Sequence, residues 1–108
     1  RVQGPEEEKD DRLSFPGLTV SLSRYEVFYQ GQRLEMPPKE IELLHFLASH
    51  PGMVFTREQL LEQVWGYDYF GDDRTLDTHI KLLRKSLGKY SDYIVTLRGV
   101  GYRFEAEE

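Results

Sequence analysis

Cysteine is absent from this chain, which excludes a disulfide framework and any thiolate metal site. No apolar run approaches the ~20 residues needed to span a bilayer, and no signal-peptide pattern is present. Histidine is too sparse to assemble a ligand set. His45 and His50 lie five apart around one helix end, a poor spacing for joint ligation, and His79 stands alone. No glycine-rich phosphate cradle or nucleophile elbow occurs, and no carboxylate pair sits among apolar residues as a tuned acid and base would. These absences lead us to expect a cytoplasmic chain that is not an enzyme and needs no cofactor, metal or membrane. Positive charge is scarce overall as well, since the 108 residues carry a net charge of −5.

What positive charge there is sits in one place. From Arg74 to Arg103 there are seven basic residues against two acidic ones, a local +5 that leaves −10 for the remainder. Phosphate attraction depends on the face presented to a polyanion, so distribution matters here more than the total. The first eleven residues, RVQGPEEEKDD, hold five acids and almost nothing apolar. Residues 1–12 are therefore expected to be an acidic linker or tail, and residues 13–106 a single domain. A start at Arg1 instead of methionine fits a piece of a longer protein. Fourteen aromatic rings and 39% hydrophobic residues suffice for one core.

Local patterns give the order of elements. Leu18, Val20 and Leu22 alternate with polar residues, Tyr25–Tyr29 is aromatic and β-branched, and Gln30-Gly31 marks a turn. The spacing predicts three or four short antiparallel strands over 13–35. Helical periodicity follows Pro37-Pro38, with Ile41, Leu44, Leu47 and Ala48 on one face until His50-Pro51-Gly52. Thr56 and Gln59 form a capping box for a second helix carrying Leu60, Leu61, Val64 and Trp65 inward. After a loop at 66–73, a third helix is expected over 74–87, with Leu76, Ile80, Leu83 and Leu87 as its core stripe and Gly88 as an αL cap. Strands at 93–98 and 102–104, joined through Gly99-Val100-Gly101, complete an α+β winged helix-turn-helix. Tyr102 and Phe104 are expected to pack this hairpin against the helix.

The third helix is two-faced. At roughly 100° per residue, Arg74, Thr78, Lys81 and Lys85 fall about 140–200° from Leu76, opposite the core stripe. Leu82 falls off the core, among cations. A solvated face also carries lysines, but it usually alternates them with acids, and here only Asp77 lies at the flank. An exposed leucine can meet a thymine methyl in a major groove. His79 reads either as a partly buried helix residue or as a phosphate contact. In the hairpin, Arg98 and Thr96 place a cation and a hydroxyl near a projecting tip, and narrow minor grooves attract arginine.

The segments Pro38-Lys39-Glu40-Ile41-Glu42-Leu43-Leu44, Thr56-Arg57-Glu58-Gln59-Leu60, Val64-Trp65-Gly66, Arg74-Thr75-Leu76-Asp77-Thr78-His79-Ile80 and Arg98-Gly99-Val100-Gly101-Tyr102-Arg103 occur together in this order. With them the chain resembles, over about residues 13–105, the C-terminal effector domain of OmpR/PhoB-type bacterial response regulators. The resemblance implies sequence-specific binding of double-stranded DNA for transcription regulation, on direct-repeat half-sites read by a tandem homodimer. It further implies an N-terminal receiver phosphorylated by a histidine kinase. By the family pattern, Arg74, Thr75 and His79 would contact phosphates, while Lys81, Leu82 and Lys85 would face the groove. Thr96 and Arg98 would be the wing's DNA-contacting pair, and Arg84 would meet the DNA backbone or a neighbouring protomer. The loop at 66–73 matches a segment that can face RNA polymerase. Its Tyr67-Asp68-Tyr69-Phe70 run supports an alternative reading, a protein-interaction module for RNA polymerase or a receiver domain. Two positions depart from the family pattern: Pro37 stands where a Ser or Thr cap is common, and Leu82 where a polar or basic residue is.

Overall fold

The computed structural model describes residues 12–66 and 73–105. Four strands, β1 (Leu13–Phe15), β2 (Leu18–Ser21), β3 (Glu26–Tyr29) and β4 (Gln32–Leu34), form an antiparallel meander in chain order. Two-residue turns set two of its registers, Phe15 facing Leu18 and Tyr29 facing Gln32. Alternation then puts Leu18, Val20 and Val27 on the inner face, all buried, with Leu13, Phe15 and Leu34 packed beside them. Tyr25, expected to open the third strand, instead closes the turn before it at φ 50°, with its amide bonded to the Leu22 carbonyl. The strand starts at Glu26, paired with Ser21.

Helix α1 (Pro38–Ser49) starts on Pro37, which offers no side-chain cap; the Pro37 carbonyl accepts from the Glu40 and Ile41 amides. The expected stripe of Ile41, Leu44, Leu47 and Ala48 is buried, but so are Leu43 and Glu40. The reason is enclosure, since α1 touches β1, β2, both other helices and the C-terminal strand. Helix α2 (Arg57–Trp65) has the predicted capping box, with Gln59 N–H donating to Thr56 Oγ1 (3.1 Å) and Thr56 N–H to Gln59 Oε1 (2.9 Å). Leu60, Leu61 and Val64 are buried, and Trp65 packs against the core from its rim. Most of the expected 66–73 loop lies outside the described residues.

Helix α3 (Asp73–Leu87) ends at Gly88, whose φ of +60° fits the expected cap, yet the chain does not pass straight into a strand. A 3-10 helix (Gly88–Tyr93) intervenes, and β5 (Ile94–Leu97) begins a residue later than the pattern predicted. Side-chain packing accounts for this turn. Tyr90 meets Tyr29 and Tyr93 at ring distances of 5.0 and 5.2 Å, and Tyr93 meets Phe104 at 5.7 Å. β6 (Gly101–Phe104) pairs antiparallel with β5, and Tyr102 and Phe104 are buried as expected.

The two hairpin glycines serve different needs. Gly99 takes the turn at φ +77°, a conformation disfavoured for side-chain-bearing residues. Gly101 has no such torsion; a Cβ there would lie 1.9 Å from the Phe55 carbonyl oxygen. That closeness exists because Phe55 and Tyr102 exchange backbone hydrogen bonds, both 2.9 Å, and Gly52 N–H donates to the Phe104 carbonyl at 2.8 Å. The α1–α2 connection thus behaves as a third partner of the hairpin.

Candidate nucleic-acid interface

The sequence of α3 divides its surface sharply. Leu76, Ile80, Leu83 and Leu87 are at most 1% exposed and seal one side against the core. On the other side Arg74, Thr78, Lys81 and Lys85 are all exposed, as the helical spacing predicts. Leu82 is 43% exposed beside Lys81 and one turn before Lys85. Thr75 is half-buried. Thr78 donates its hydroxyl to the Arg74 carbonyl (3.1 Å), which satisfies its proton and leaves its oxygen outward.

His79 belongs to both sides. Its ring packs on Trp65 at 4.8 Å, and its Nδ1 is buried without a hydrogen-bond partner. Only Nε2 therefore remains for an outward contact, so the two readings of this residue are compatible. Glu40 sits close enough to interact with it. Burial raises the Glu40 carboxyl above its ordinary value, and the nearby His79 offsets only part of that rise. Lys39 caps this corner, donating to the Val64 carbonyl at 2.8 Å and lying 6.0 Å from the Trp65 ring centre.

The wing is bonded to α3 through Arg84, Asp77 and Tyr102. Arg84 Nη2 donates to the Ile94 carbonyl and to Thr96 Oγ1, both at 2.6 Å, and the guanidinium lies 5.9 Å from the Tyr102 ring centre. Arg84 and Thr96, expected as separate outward contacts, are thus bonded to each other. Tyr102 donates its hydroxyl to Asp77 at 2.7 Å. Burial, with that carboxylate next in weight, raises the Tyr102 hydroxyl above its ordinary value. Asp77 also meets Arg57 Nε at 3.3 Å. Sequence reasoning placed Asp77 merely at a flank and did not single out Arg57. The available signal was that Asp77 is an acid set among the bases of the helix, which suggests a charge with a fixed partner.

Arg98 and Val100 are exposed in the hairpin turn, closed by Val100 N–H on the Leu97 carbonyl at 2.8 Å. Between this turn and the start of α2 runs a groove of about 290 Å³, lined by Thr56, Arg57, Glu58, Arg98, Val100 and Tyr102 among others. Among the described residues no three His, Asp or Glu side chains come together as metal ligands. His45 and His50 make local bonds, to Ser49 and to the Phe46 carbonyl. No helix of the described residues is long and apolar enough to cross a membrane.

A basic, one-face-exposed third helix braced to a projecting hairpin, with a four-stranded sheet before it, defines a winged-helix DNA-binding domain. The family model described as "Transcriptional regulatory protein, C terminal" matches residues 31–104. The transcriptional regulatory protein ResD of Bacillus subtilis is 47% identical over 97 residues, covering 86% of this chain and 40% of its own. Response regulator DrrB of Thermotoga maritima, an OmpR/PhoB homologue, superposes with a TM-score of 0.81 at 39% identity, covering 93% of this chain and 46% of that one. The RstA DNA-binding domain of Klebsiella pneumoniae, solved in complex with the RstA box, superposes at 0.76 with 33% identity, covering 87% and 96% respectively. This chain belongs to the family of transcriptional regulatory protein C-terminal domains, the DNA-binding effector domains of OmpR/PhoB-type response regulators. It spans less than half the length of the curated relatives it matches.

Proposed function

We propose that the chain reads double-stranded DNA by laying α3 in a major groove while the β5–β6 tip enters the neighbouring minor groove. The observation that carries this is the divided surface of α3, sealed by leucines on one side and exposed as Arg74, Thr78, Lys81, Leu82 and Lys85 on the other. A helix about 10–12 Å across fits a major groove about 12 Å wide. Arg74, Thr75 and His79, through Nε2, hold phosphates. Lys81, Leu82 and Lys85 face base edges, and Arg98 inserts at the wing. The RstA domain was solved with its box bound, which supports the same use of this similar fold.

In this reading residues 1–12 join the domain, residues 13–106, to a receiver phosphorylated by a histidine kinase. Two protomers bind direct repeats in tandem in the cytoplasm, contacting RNA polymerase, and the domain acts by binding and not by catalysis. The decisive experiment is selection from a random duplex pool, followed by titration of the selected site. A repeated half-site and an affinity that falls steeply with salt are expected, because phosphate contacts release counterions. Recovery of no common sequence, or a flat salt dependence, would reject the reading.

A further inference from the structure

Among the described residues, two side-chain hydrogen-bonded links tie α3 to the wing, and both leave the helix from one side. Asp77 and Arg84 are seven residues apart, which brings the helix back to within about 20° of the same direction and about 10.5 Å along its axis. At the first link, Tyr102 of β6 donates to Asp77, which Arg57 at the head of α2 also meets. At the second, one guanidinium nitrogen of Arg84 bonds the Ile94 carbonyl and the Thr96 hydroxyl of β5. The links therefore reach different strands of the hairpin. The backbone exchange with Phe55 holds the base of the hairpin, and two spaced attachments on two strands fix its inclination to α3.

We propose that Arg84 and Asp77 are positioning residues for DNA recognition, fixing the wing's inclination to α3 and so the distance from Arg98 to the groove-facing residues. This rests on the DNA-binding reading above and reassigns Arg84, expected to meet the DNA backbone or a neighbouring protomer, as a brace. The geometry makes the brace consequential. Arg98 lies four residues beyond Ile94, about 13 Å along an extended strand, so a swing of about 15° moves the tip about 3 Å. That is the length of a hydrogen bond, enough to take an arginine out of reach of its groove.

The test uses the 108-residue chain and a duplex that the unaltered chain selects from a random pool. Arg84→Gln and Tyr102→Phe should each weaken binding about five- to tenfold, as expected for a lost hydrogen bond that transmits its full effect. Tyr102→Phe keeps the buried ring and removes no charge, so it answers the question even if Arg84→Gln destabilises the fold. In either background Arg98→Ala should cost far less than it does alone. Hydroxyl-radical protection of the minor groove should fade while methylation protection of major-groove guanines persists. Losses that multiply independently with Arg98→Ala, or a Tyr102→Phe chain that binds and footprints like the original, would overturn the brace. Absence of any binding by the unaltered chain would instead remove the DNA-binding reading, so the two failures are distinguishable.

Discussion

Helices α1 and α3 draw on similar apolar material, three leucines and an isoleucine in twelve residues against four leucines and an isoleucine in fifteen. They use it differently. α1 is closed in by the sheet, both other helices and β6, and it buries six residues, one of them a glutamate. α3 buries one stripe of four and leaves the opposite side exposed. Enclosure on several sides commits half of α1, spread beyond a single stripe, to packing. Attachment along one line gives α3 stability from a few leucines and leaves the remaining positions to serve a partner.

The largest effects are expected at the two buried stripes. Leu47→Ala in α1 and Leu83→Ala in α3, both fully buried, should each cost about 2–5 kcal/mol in urea unfolding. A loss below about 1 kcal/mol at Leu83 would mean that α3 is not held by its stripe. The exposed side should behave in the opposite way. Lys81→Ala and Arg98→Ala should leave the unfolding midpoint within experimental error and weaken DNA binding by about 1–3 kcal/mol, read by anisotropy. Arg74→Ala should weaken selected and unselected duplexes alike. Binding unchanged in all three would sink the interface assignment.

A finer contrast lies at Leu82, exposed where α1 keeps its leucines buried. Leu82→Ala should relax preference at one A·T pair by about 1 kcal/mol if the side chain meets a thymine methyl. Unaltered preference at every position of the site would reject that contact. The gentlest effect belongs to the glutamate of α1. Because burial raises the folded carboxyl, the folded state holds this proton more tightly than the unfolded chain does. Stability attributable to Glu40 therefore falls as pH rises from about 4 through the raised value. Glu40→Gln should flatten that part of the pH profile of the unfolding midpoint; an identical slope in both proteins would show that the carboxyl is not perturbed.

Much of this contrast was legible in the residues. A single buried stripe is what helical periodicity detects, so the α3 stripe, its opposite cationic side and the exposure of Leu82 all followed from spacing. The Thr56–Gln59 box was equally plain, because its chemistry is local. Burial of Leu43 and Glu40 was not, since one-face periodicity assumes a helix packed on one side. The partnership of Arg84 with Thr96 was hidden for another reason. A cation on a helix reads the same whether it awaits a phosphate or a carbonyl ten residues downstream, and only the fold brings Ile94 and Thr96 to it. The 3-10 helix depends on three tyrosines from two distant segments, which no local window contains.

The backbone exchange between Phe55 and Tyr102 carries a consequence for anyone who would graft this wing onto another regulator. The hairpin is stitched to the connection between the first two helices, and Gly101 is small because that connection lies against it. A transplanted 94–104 segment would arrive with an unmatched edge and a glycine with nothing to accommodate. The transferable unit is the hairpin together with residues 52–56. Length changes should be tolerated at the tip around Val100 and resisted in the turn before α2, where a single inserted residue would shift the two-point register and carry the wing off its mark.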